Sequence, residues 1–366
     1  MHGGDIYRQQ VTYDFSVNIN PIGLPDAVRQ VMENSGDLAM QYPDLQCQKL
    51  RIKLADCLGI RPEQILCVNG ASELILAVCH MLRPKKALLS APCFSGYETA
   101  LQAVGTEVIR VPLSEADGFA FTEEYGRKLE TRIKEEKPEL LFLTTPNNPT
   151  GVIYHEETMK KMAEILEKKE KEIGHEIYLI SDEPYRELVY DGNQEDFLTK
   201  YYRNTIVGYS FSKSLSLPGE RIGYVVVPDE VENADQVIDG IVVSNRTLGF
   251  VNAPSLLQKA VAKCLDEKTN LAFYDENRKM LYEGLQKLGF HCIKPEGAFY
   301  MWVKSPEADE EKFVAAGKKY NIIMVKGSAF GCAGYVRLAY CVSHETVKNA
   351  LTAFEKLAED YGLYTE

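Results

Sequence analysis

The chain of 366 residues has fewer cations than anions and lacks the long apolar runs that mark membrane proteins. Lys and Arg together number 41 and Asp and Glu 53, which gives a net charge of −12. Because nucleic acids and anionic membranes attract clustered cations, this balance argues against both as main partners. No uncharged apolar run approaches the roughly 18 residues of a membrane span, and the polar first ten residues contain no apolar signal core. We therefore expect a cytoplasmic protein.

Paired cysteine motifs are also absent from the sequence. The nine cysteines are odd in number, scattered and mostly flanked by apolar residues, and none forms a C-x-x-C pair. We expect buried, reduced thiols, without a disulfide framework and without a zinc or other metal site. Neither G-x-G-x-x-G nor G-K-[ST] occurs, so the sequence supports neither a dinucleotide fingerprint nor a P-loop.

The order of the predicted elements indicates two domains. Between residues 45 and 245, strand-like and helix-like segments alternate, which is typical of an α/β domain with a mainly parallel, covered sheet. Past about residue 250 the pattern becomes α+β. We predict a large domain over 41–248 and a smaller domain over 249–366, which an N-terminal segment over 1–40 joins.

Apolar periodicity predicts the individual elements of both domains. The predicted strands are 65–68, 87–89, 108–111, 139–143, 177–180, 205–209 and 222–227 in the large domain, and 298–303, 322–325 and 336–340 in the small one. The predicted helices are 45–58, 71–82, 156–173, 255–267, 272–288 and a closing helix from His344.

Unusual polar sequences follow four of the predicted strands. They are N-G-A-S-E over 69–73, T-T-P-N-N-P-T-G over 144–151, S-D-E-P-Y over 181–185, and S-F-S-K-S-L-S-L-P-G-E-R-I-G-Y over 210–224. Ligands of open parallel sheets bind at the carboxyl ends of the strands, so these segments are candidate site segments. Each of the first three, taken alone, is also compatible with an ordinary helix cap, turn or solvated loop.

The fourth segment contains a lysine in an environment that is unusual for a surface lysine. Lys213 has Ser and Leu neighbours where a solvated lysine normally has charged company. This suggests partial burial and a lowered pKa, which an amine nucleophile needs. No histidine falls inside the four segments, so a histidine-dependent hydrolase triad is poorly supported.

Together the segments resemble the fold-type I, pyridoxal 5'-phosphate (PLP)-dependent aminotransferases of class I/II. N-P-T-G, D-x-x-Y and S-x-S-K-x-x-x-x-x-G-x-R-x-G occur here in that family's order and approximate spacing. The likeness spans nearly the whole chain, and the last motif is highly specific. It implies the PLP-dependent transferase fold, PLP as cofactor, an amino acid and a 2-oxo acid as substrates, and a homodimer.

The resemblance also implies a role for individual residues. Lys213 would form a Schiff base with the cofactor aldehyde, Asp182 would face the pyridine nitrogen, and Asn148 and Tyr185 would face the ring hydroxyl. Arg221, Ser210, Ser212 and the amides of Ala71 and Ser72 would hold the phosphate, Phe94 would stack on the ring, and Tyr42 would reach the partner subunit's phosphate. Arg337 would bind the substrate α-carboxylate, with Asn148 and Asn20 as further substrate contacts.

The reaction and the substrate are less clearly marked than the cofactor. The segment 14–23 resembles threonine-phosphate decarboxylases and, less closely, histidinol-phosphate aminotransferases, whereas 181–185 and 336–340 look like aspartate- or aromatic-type aminotransferases. Lys326 stands where relatives with phosphorylated substrates often carry arginine, which weakens that substrate class without excluding it. Arg246 lies near the position of a dicarboxylate-binding arginine, about one residue out of register, and a surface role is the better interpretation.

The leading hypothesis is an aminotransferase that moves an amino group between an L-amino acid and a 2-oxo acid. The alternative enzyme is a PLP-dependent decarboxylase of the threonine-phosphate type, or a β-lyase. A PLP-binding regulatory module without turnover is a third class. Such modules usually carry a DNA-binding domain, whereas this chain begins almost directly in catalytic-type sequence and is acidic, so the third class is disfavoured.

Overall fold

The strands of the computed structural model, which describes residues 12–194 and 198–363, form three sheets. They are β1 (Tyr13–Asp14), β2 (Ile65–Val68), β3 (Lys86–Ala91), β4 (Glu107–Pro112), β5 (Leu140–Thr144), β6 (Tyr178–Asp182), β7 (Thr205–Ser210), β8 (Gly223–Val226), β9 (Cys292–Ile293), β10 (Tyr300–Lys304), β11 (Ile322–Ile323), β12 (Val325–Lys326) and β13 (Tyr335–Ala339).

Helices cover these sheets. They are α1 (Asp26–Glu33), α2 (Gln48–Leu58), α3 (Ala71–Leu82), α4 (Gly96–Ala103), α5 (Glu123–Glu136), α6 (Glu156–Ile173), α7 (Phe211–Ser214), α8 (Ala234–Thr247), α9 (Ser255–Lys263), α10 (Leu271–Lys287), α11 (Glu310–Lys319) and α12 (His344–Asp360). In the part of the chain that the structure describes, no helix combines the length and the apolar character needed to cross a bilayer.

The large sheet has seven strands in the order β2-β8-β7-β6-β5-β3-β4. The pairs from β4 through β3, β5 and β6 to β7 are parallel, and β8 is antiparallel to both β7 and β2. The predicted α/β fold with a mainly parallel sheet is therefore confirmed.

Continuous apolar runs form the central strands because both faces of the large sheet are buried. In β5, Leu140 and Phe142 pack into the core beneath α3 and α8, whereas Leu141 and Leu143 pack into the core beneath α5 and α6. Successive residues of a strand point to opposite faces, so a strand that is covered twice needs apolar residues at every position. Each fully buried leucine contributes about 1.5–3 kcal/mol relative to an exposed one.

The second, four-stranded sheet is antiparallel, in the order β12-β13-β10-β9. One face packs on α10 and α12, through residues such as Leu281, Leu285 and Leu357. On the other face, Trp302 of β10 stacks on Tyr335 at 5.3 Å and belongs to the same apolar cluster as α5 and α6 of the large sheet. The two sheets are thus joined by aromatic packing.

The N-terminal segment contacts both parts of the molecule. β1 pairs in parallel with β11, and Phe15 is buried in the core of α10 and α12. In contrast, Val28 of α1 packs into a cluster with α2 and α9. The division at residues 40 and 248 stays a prediction, and residues 1–11 lie outside the described residues.

Several element boundaries differ from the sequence-based prediction. The helix expected over 45–58 begins at Gln48, because Asp44 accepts hydrogen bonds from the amides of Gln46 and Gln48 and Cys47 has a left-handed φ of 48°. The single strand expected over 322–325 is wrong: β11 and β12 belong to different sheets and are separated by Met324.

Six helices, α1, α4, α5, α7, α8 and α11, were not predicted. α5 shows the reason, since only Tyr125, Leu129 and Ile133 form its apolar stripe within a strongly charged segment. A stripe of this width gives a weak periodic signal, and the helix is stabilised mainly by packing against the sheet.

Candidate active site

The segments that follow β5, β6 and β7 meet at one edge of the large sheet. These strands are parallel neighbours, with Thr144 opposite Asp182 and Asp182 opposite Gly208. β2 runs in the same direction, because it is antiparallel to β8 and β8 is antiparallel to β7. All four candidate segments therefore leave the sheet at the same edge, where open parallel sheets bind their ligands.

Asp182 is a buried carboxylate at this edge. Tyr97 donates a hydrogen bond of 2.7 Å to its Oδ2, while Oδ1 has no partner among the described residues. Burial raises the pKa of Asp182 to about 7, because removal from water disfavours the charged form. A cationic donor opposite Oδ1 would satisfy the free oxygen and favour the ionised carboxylate.

Tyr97 was missed by the sequence-based prediction. Its ring stacks on Phe142 of β5 with a centroid distance of 4.7 Å, and its hydroxyl also contacts Thr144. The ring of Phe94 stands edge-on to it at 5.5 Å. A tyrosine three residues after Phe94 was the available signal, but only the tertiary structure places its hydroxyl on Asp182.

Lys213 is partly buried in α7, directly after β7. Burial lowers the pKa of its amine to about 8, and the charges of Arg337 and Arg221 act in the same direction. Its Nζ donates to the backbone oxygen of Asn18 at 2.8 Å. A substantial fraction of the amine is therefore neutral near physiological pH and able to act as a nucleophile, as its neighbours in the sequence indicated.

A glycine before α3 allows the side chain of Arg221 to pack closely against the start of this helix. Gly70 has a φ of +84°, and a Cβ there would lie 2.5 Å from Nη2 of Arg221. The next amides, those of Ala71 and Ser72, belong to the first turn of α3, which has no acceptors within the helix. A helix N-terminus beside an arginine favours an anion.

Two serines complete the lining of this anion site. Arg221 Nη1 donates to Ser212 Oγ at 3.1 Å, and the hydroxyls of Ser210 and Ser212 are 2.9 Å apart. Burial lowers the pKa of the Arg221 guanidinium, which shows that the cation is only partly compensated by the nearby Glu73. A phosphate dianion would provide the missing charge.

Arg337 on β13 is the third cation at the sheet edge. Its Nη1 donates a hydrogen bond of 2.9 Å to Oδ1 of Asn148, the asparagine of the N-P-T-G turn. Its Nη2 makes longer bonds to Ser16 O, 3.3 Å, and Asn18 Oδ1, 3.2 Å. Its buried Nε has no partner in residues 12–194 and 198–363. The Nε–Nη2 edge of the guanidinium is thus the edge that a carboxylate could take.

Tyr185 lies beside Arg337, and its hydroxyl is 2.5 Å from that of Tyr300. Burial holds the pKa of Tyr185 well above its usual range, so this phenol remains a proton donor at physiological pH.

Asn20 has other partners: its side chain bonds to Ser216 Oγ and accepts from the amide of Ile22. Asn18, which the prediction did not single out, contacts both Lys213 and Arg337.

Three of the residues considered from sequence lie apart from this cluster within the chain. Tyr42 is fully exposed. Arg246 is exposed near the end of α8, and Lys326 forms an ion pair with Glu311 on the surface. The last pairing removes the reason for treating Lys326 as a free point charge for a phosphorylated substrate.

The residues that converge here fit PLP. Oδ1 of Asp182 would accept from a protonated pyridine nitrogen, the neutral amine of Lys213 suits an aldehyde, and the Gly70–Arg221 site suits a phosphate. The Nε–Nη2 edge of Arg337 keeps a donor without a partner in the described structure, which a substrate carboxylate could use.

Comparison with known proteins agrees with this assignment. The family model described as aminotransferase class I and II matches residues 11–354. A probable aspartate/prephenate aminotransferase of Thermus aquaticus is 30% identical over 311 residues, covering 81% of this chain and 76% of that protein. An aromatic-amino-acid aminotransferase of Thermococcus litoralis is 27% identical over 314 residues, with 81% and 76% covered. The crystal structure of an amino transferase from Eubacterium rectale superposes with a TM-score of 0.85 at 39% identity, covering 95% of this chain and 90% of that one.

Replacement of Lys213 tests the covalent attachment point. We expect wild-type protein incubated with PLP and then gel-filtered to keep a visible absorption band, and Lys213→Ala to lose it, because the partly buried amine of low pKa is removed. Borohydride reduction followed by peptide mass analysis should locate the modified lysine in the wild type. Lys128→Ala, at an exposed lysine of α5, is the matched control. A wild type that takes up no PLP, or a Lys213→Ala protein that keeps the band, would contradict the assignment.

Replacement of Asp182 tests the burial of its carboxyl group. The folded protein keeps this proton up to about pH 7, whereas the unfolded chain releases it near pH 4. The folded state binds more protons in that window, so the group's contribution to stability decreases as the pH rises from about 4 to 7. Relative to that of Asp182→Asn, the free energy of unfolding of the cofactor-free wild type should decrease by ~4 kcal/mol at most across this pH range. Urea unfolding of both proteins at a series of pH values measures the difference; a pH-independent difference would show that the carboxyl is not desolvated.

Proposed function

The chain belongs to the class I and II aminotransferases, which are PLP-dependent enzymes, and we propose that it moves an amino group between an L-amino acid and a 2-oxo acid at the sheet edge that carries Lys213. One observation carries this proposal. The amine of Lys213 and the guanidinium of Arg337 both bond to the same residue, Asn18, through its backbone and side-chain oxygens. An α-amino acid has its amino group and its carboxylate on one carbon, and it would need these two groups at such close range.

PLP bound at this edge supplies an electron sink for the charge that develops at the substrate Cα. Asp182, with its free Oδ1, would hold the proton on the ring nitrogen, and Arg221 with Ser210 and Ser212 would anchor the phosphate. Lys213 Nζ carries the proton that leaves and returns at Cα, a task for which a pKa of about 8 is suited near neutral pH.

Arg337 orients the substrate through its carboxylate. The planar guanidinium bonds a carboxylate bidentately, and the Nε–Nη2 edge has one unpartnered donor and two long bonds. Asn148 holds the opposite edge at 2.9 Å and so fixes the plane of the fork. A substrate carboxylate would displace Ser16 and Asn18 from Nη2 without disturbing Asn148.

The decarboxylase and β-lyase alternatives have less support. The Thermus aquaticus and Thermococcus litoralis relatives, which each match over 81% of this chain, are named aminotransferases, and Lys326 is paired with Glu311 on the surface. Both alternatives would nevertheless use the same Lys213 and PLP, so the products of the reaction decide between them.

The reaction is tested by adding single L-amino acids to the PLP-loaded enzyme without an acceptor. We expect loss of the visible band, formation of pyridoxamine phosphate and release of one equivalent of the matching 2-oxo acid. Release of carbon dioxide, or of ammonia with pyruvate, in place of these products would contradict transamination and identify the decarboxylase or the β-lyase.

Arg337 variants in the same assay separate binding of the substrate from binding of the cofactor. Loss of a bidentate, charge-assisted contact of about 1.5–3 kcal/mol should raise KM for the amino acid by roughly 10- to 100-fold in Arg337→Ala. Affinity for PLP should change little, and Arg337→Lys should recover part of the loss. Equal losses of substrate and PLP affinity would contradict the role of Arg337.

A homodimer is the second part of the proposal. Residues 40–45 and 250–251 expose large apolar side chains: Met40, Tyr42, Leu45, Phe250 and Val251. Two hydrogen bonds join these segments, Asn252 Nδ2 to Asp44 O at 2.7 Å and Ser255 Oγ to Gln41 O at 3.1 Å. The exposed apolar side chains therefore lie on neighbouring segments of the chain, and exposed apolar patches mark protein contacts.

We propose that a second copy of the chain covers this surface and that Tyr42 reaches the phosphate site of the partner. The fully exposed Tyr42 has no role within its own chain in the described structure, which is what a residue that acts across an interface requires. The reduced thiols expected from the sequence agree with a cytoplasmic location, where we place the enzyme in amino-acid metabolism and biosynthesis.

Sedimentation of two surface variants tests the dimer. Met40→Asp should shift the protein towards the monomer, because it buries a charge in the apolar contact. Tyr42→Phe should remain dimeric but bind PLP roughly 10-fold more weakly, because one hydrogen bond to the phosphate is lost. Lys128→Asp on the exposed face of α5 serves as the control. A wild type that sediments as a monomer with full activity would refute the proposal.

A further inference from the structure

Tyr300 contacts two of the residues on which the proposed reaction depends. This tyrosine of β10 is completely buried, and its hydroxyl is 2.5 Å from that of Tyr185. The Cζ of Arg337 lies 4.4 Å from the centre of the Tyr300 ring. One side chain thus touches the proposed partner of the cofactor ring hydroxyl and the proposed carboxylate-binding residue.

Strand register explains the contact with Arg337. β10 and β13 are antiparallel, with Tyr300 opposite Ala339 and Trp302 opposite Arg337. Tyr300 and Arg337 are therefore diagonal neighbours on one face of the small sheet, within reach of an aromatic ring and a long side chain.

The start of β10 is also fixed against the turn that carries Asn148. Gly151, at the end of that turn, accepts backbone hydrogen bonds from the amides of Glu296 and Gly297, 2.8 and 2.9 Å. A Cβ at Gly151 would lie 2.8 Å from the backbone oxygen of Tyr300. Tyr300 therefore stands where the small sheet meets the edge of the large one.

We propose that Tyr300 is a positioning residue that couples the two halves of the active site. Its hydroxyl donates to Tyr185 and so directs the proton of Tyr185 towards the cofactor ring oxygen, while its ring holds the Arg337 guanidinium in the plane that a substrate carboxylate needs. The inference rests on the proposed function, because it assigns Tyr300 a part in that reaction.

Either hydroxyl can donate in this hydrogen bond, and the proposal assigns the donor role to Tyr300. Burial raises the pKa of both phenols above the usual range, so both keep their protons at physiological pH. One proton lies between the two oxygens and the other is free. If Tyr300 is the donor, the free proton belongs to Tyr185, and donation into the oxygen of Tyr185 strengthens it as a donor in turn.

The ring contact restricts the rotation of Arg337. A guanidinium near an aromatic face is attracted by the ring quadrupole, most strongly where water is excluded. Phe330 provides a second ring at 4.9 Å from Cζ, but its side chain has no hydroxyl that could bond to Tyr185. The two aromatic residues therefore share the contact with Arg337, whereas the hydrogen bond belongs to Tyr300.

Tyr300→Phe tests the hydroxyl separately from the ring. Donation by Tyr185 to the cofactor ring oxygen favours the deprotonated chromophore of the PLP-loaded enzyme. A weaker donor should therefore raise the midpoint of the pH titration of the visible band, by about half a unit to one unit. KM for the amino acid should change less than about two-fold, since the ring remains.

Tyr300→Leu removes the ring as well. KM for the amino acid should then rise about 10-fold, in addition to the shift of the visible titration. Phe330→Leu should raise KM without shifting the titration. Tyr340→Phe, which removes another buried hydroxyl of the same core, one bonded to Ala298 O at 3.2 Å, should change neither quantity.

The outcomes separate this inference from the proposed function. A Tyr300→Phe enzyme that titrates like the wild type, while Tyr185→Phe is shifted, would overturn the role of the hydroxyl. An unchanged KM in a folded Tyr300→Leu enzyme would overturn the role of the ring, and Tyr300→Phe remains informative if the leucine variant does not fold. Failure of the wild type to bind PLP or to transaminate would instead reject the proposed function itself.

Discussion

Asp182 lies at the end of β6 with one carboxylate oxygen held by Tyr97 and the other without a protein partner in the described structure. An unpaired buried carboxylate is unfavourable, and the protein responds by raising its pKa to about 7. The packing of β5, β6 and β7 on both faces keeps the group in place. A ligand with a cationic donor restores the charged form of Asp182. Desolvation of this one side chain therefore favours binding of such a ligand.

The same physical reasoning applies to two of the cations at this edge. Lys213 and Arg221 are desolvated at the same edge, and burial lowers the pKa of each. An overall charge of −12 therefore describes the exterior of the protein, while the site is locally cationic and prepared for phosphate and carboxylate groups. When a ligand binds, its anionic groups pair with these cations, and this pairing offsets the free energy of desolvating each charge separately.

The segment from Phe15 to Asn18 connects the two sheets at the site. Phe15 O accepts from Ala339 N at 2.7 Å, Val17 O accepts from Cys341 Sγ at 3.2 Å, and Asn18 O accepts from Lys213 at 2.8 Å. The segment thus follows β13 and then crosses to α7. Its contacts with Lys213 and Arg337 use the same donors that the proposed reaction assigns to the substrate, so the proposal requires a substrate carboxylate to replace Ser16 and Asn18 at Nη2 of Arg337.

The pattern of apolar strands predicted the fold class and the candidate segments, because polar segments at the ends of parallel strands share one edge of the sheet. The cofactor and the roles of Lys213, Asp182 and Arg221 were predicted from the resemblance of these segments to the motifs of the PLP-dependent aminotransferases. The sequence could not place Tyr97, Asn18 or Tyr300, since their contacts join residues 85, 195 and 115 positions apart. Nor did it show that 322–325 divides between two sheets. Only the tertiary structure decided these points, because desolvation, hydrogen-bond direction and strand register depend on which distant side chains are brought into contact.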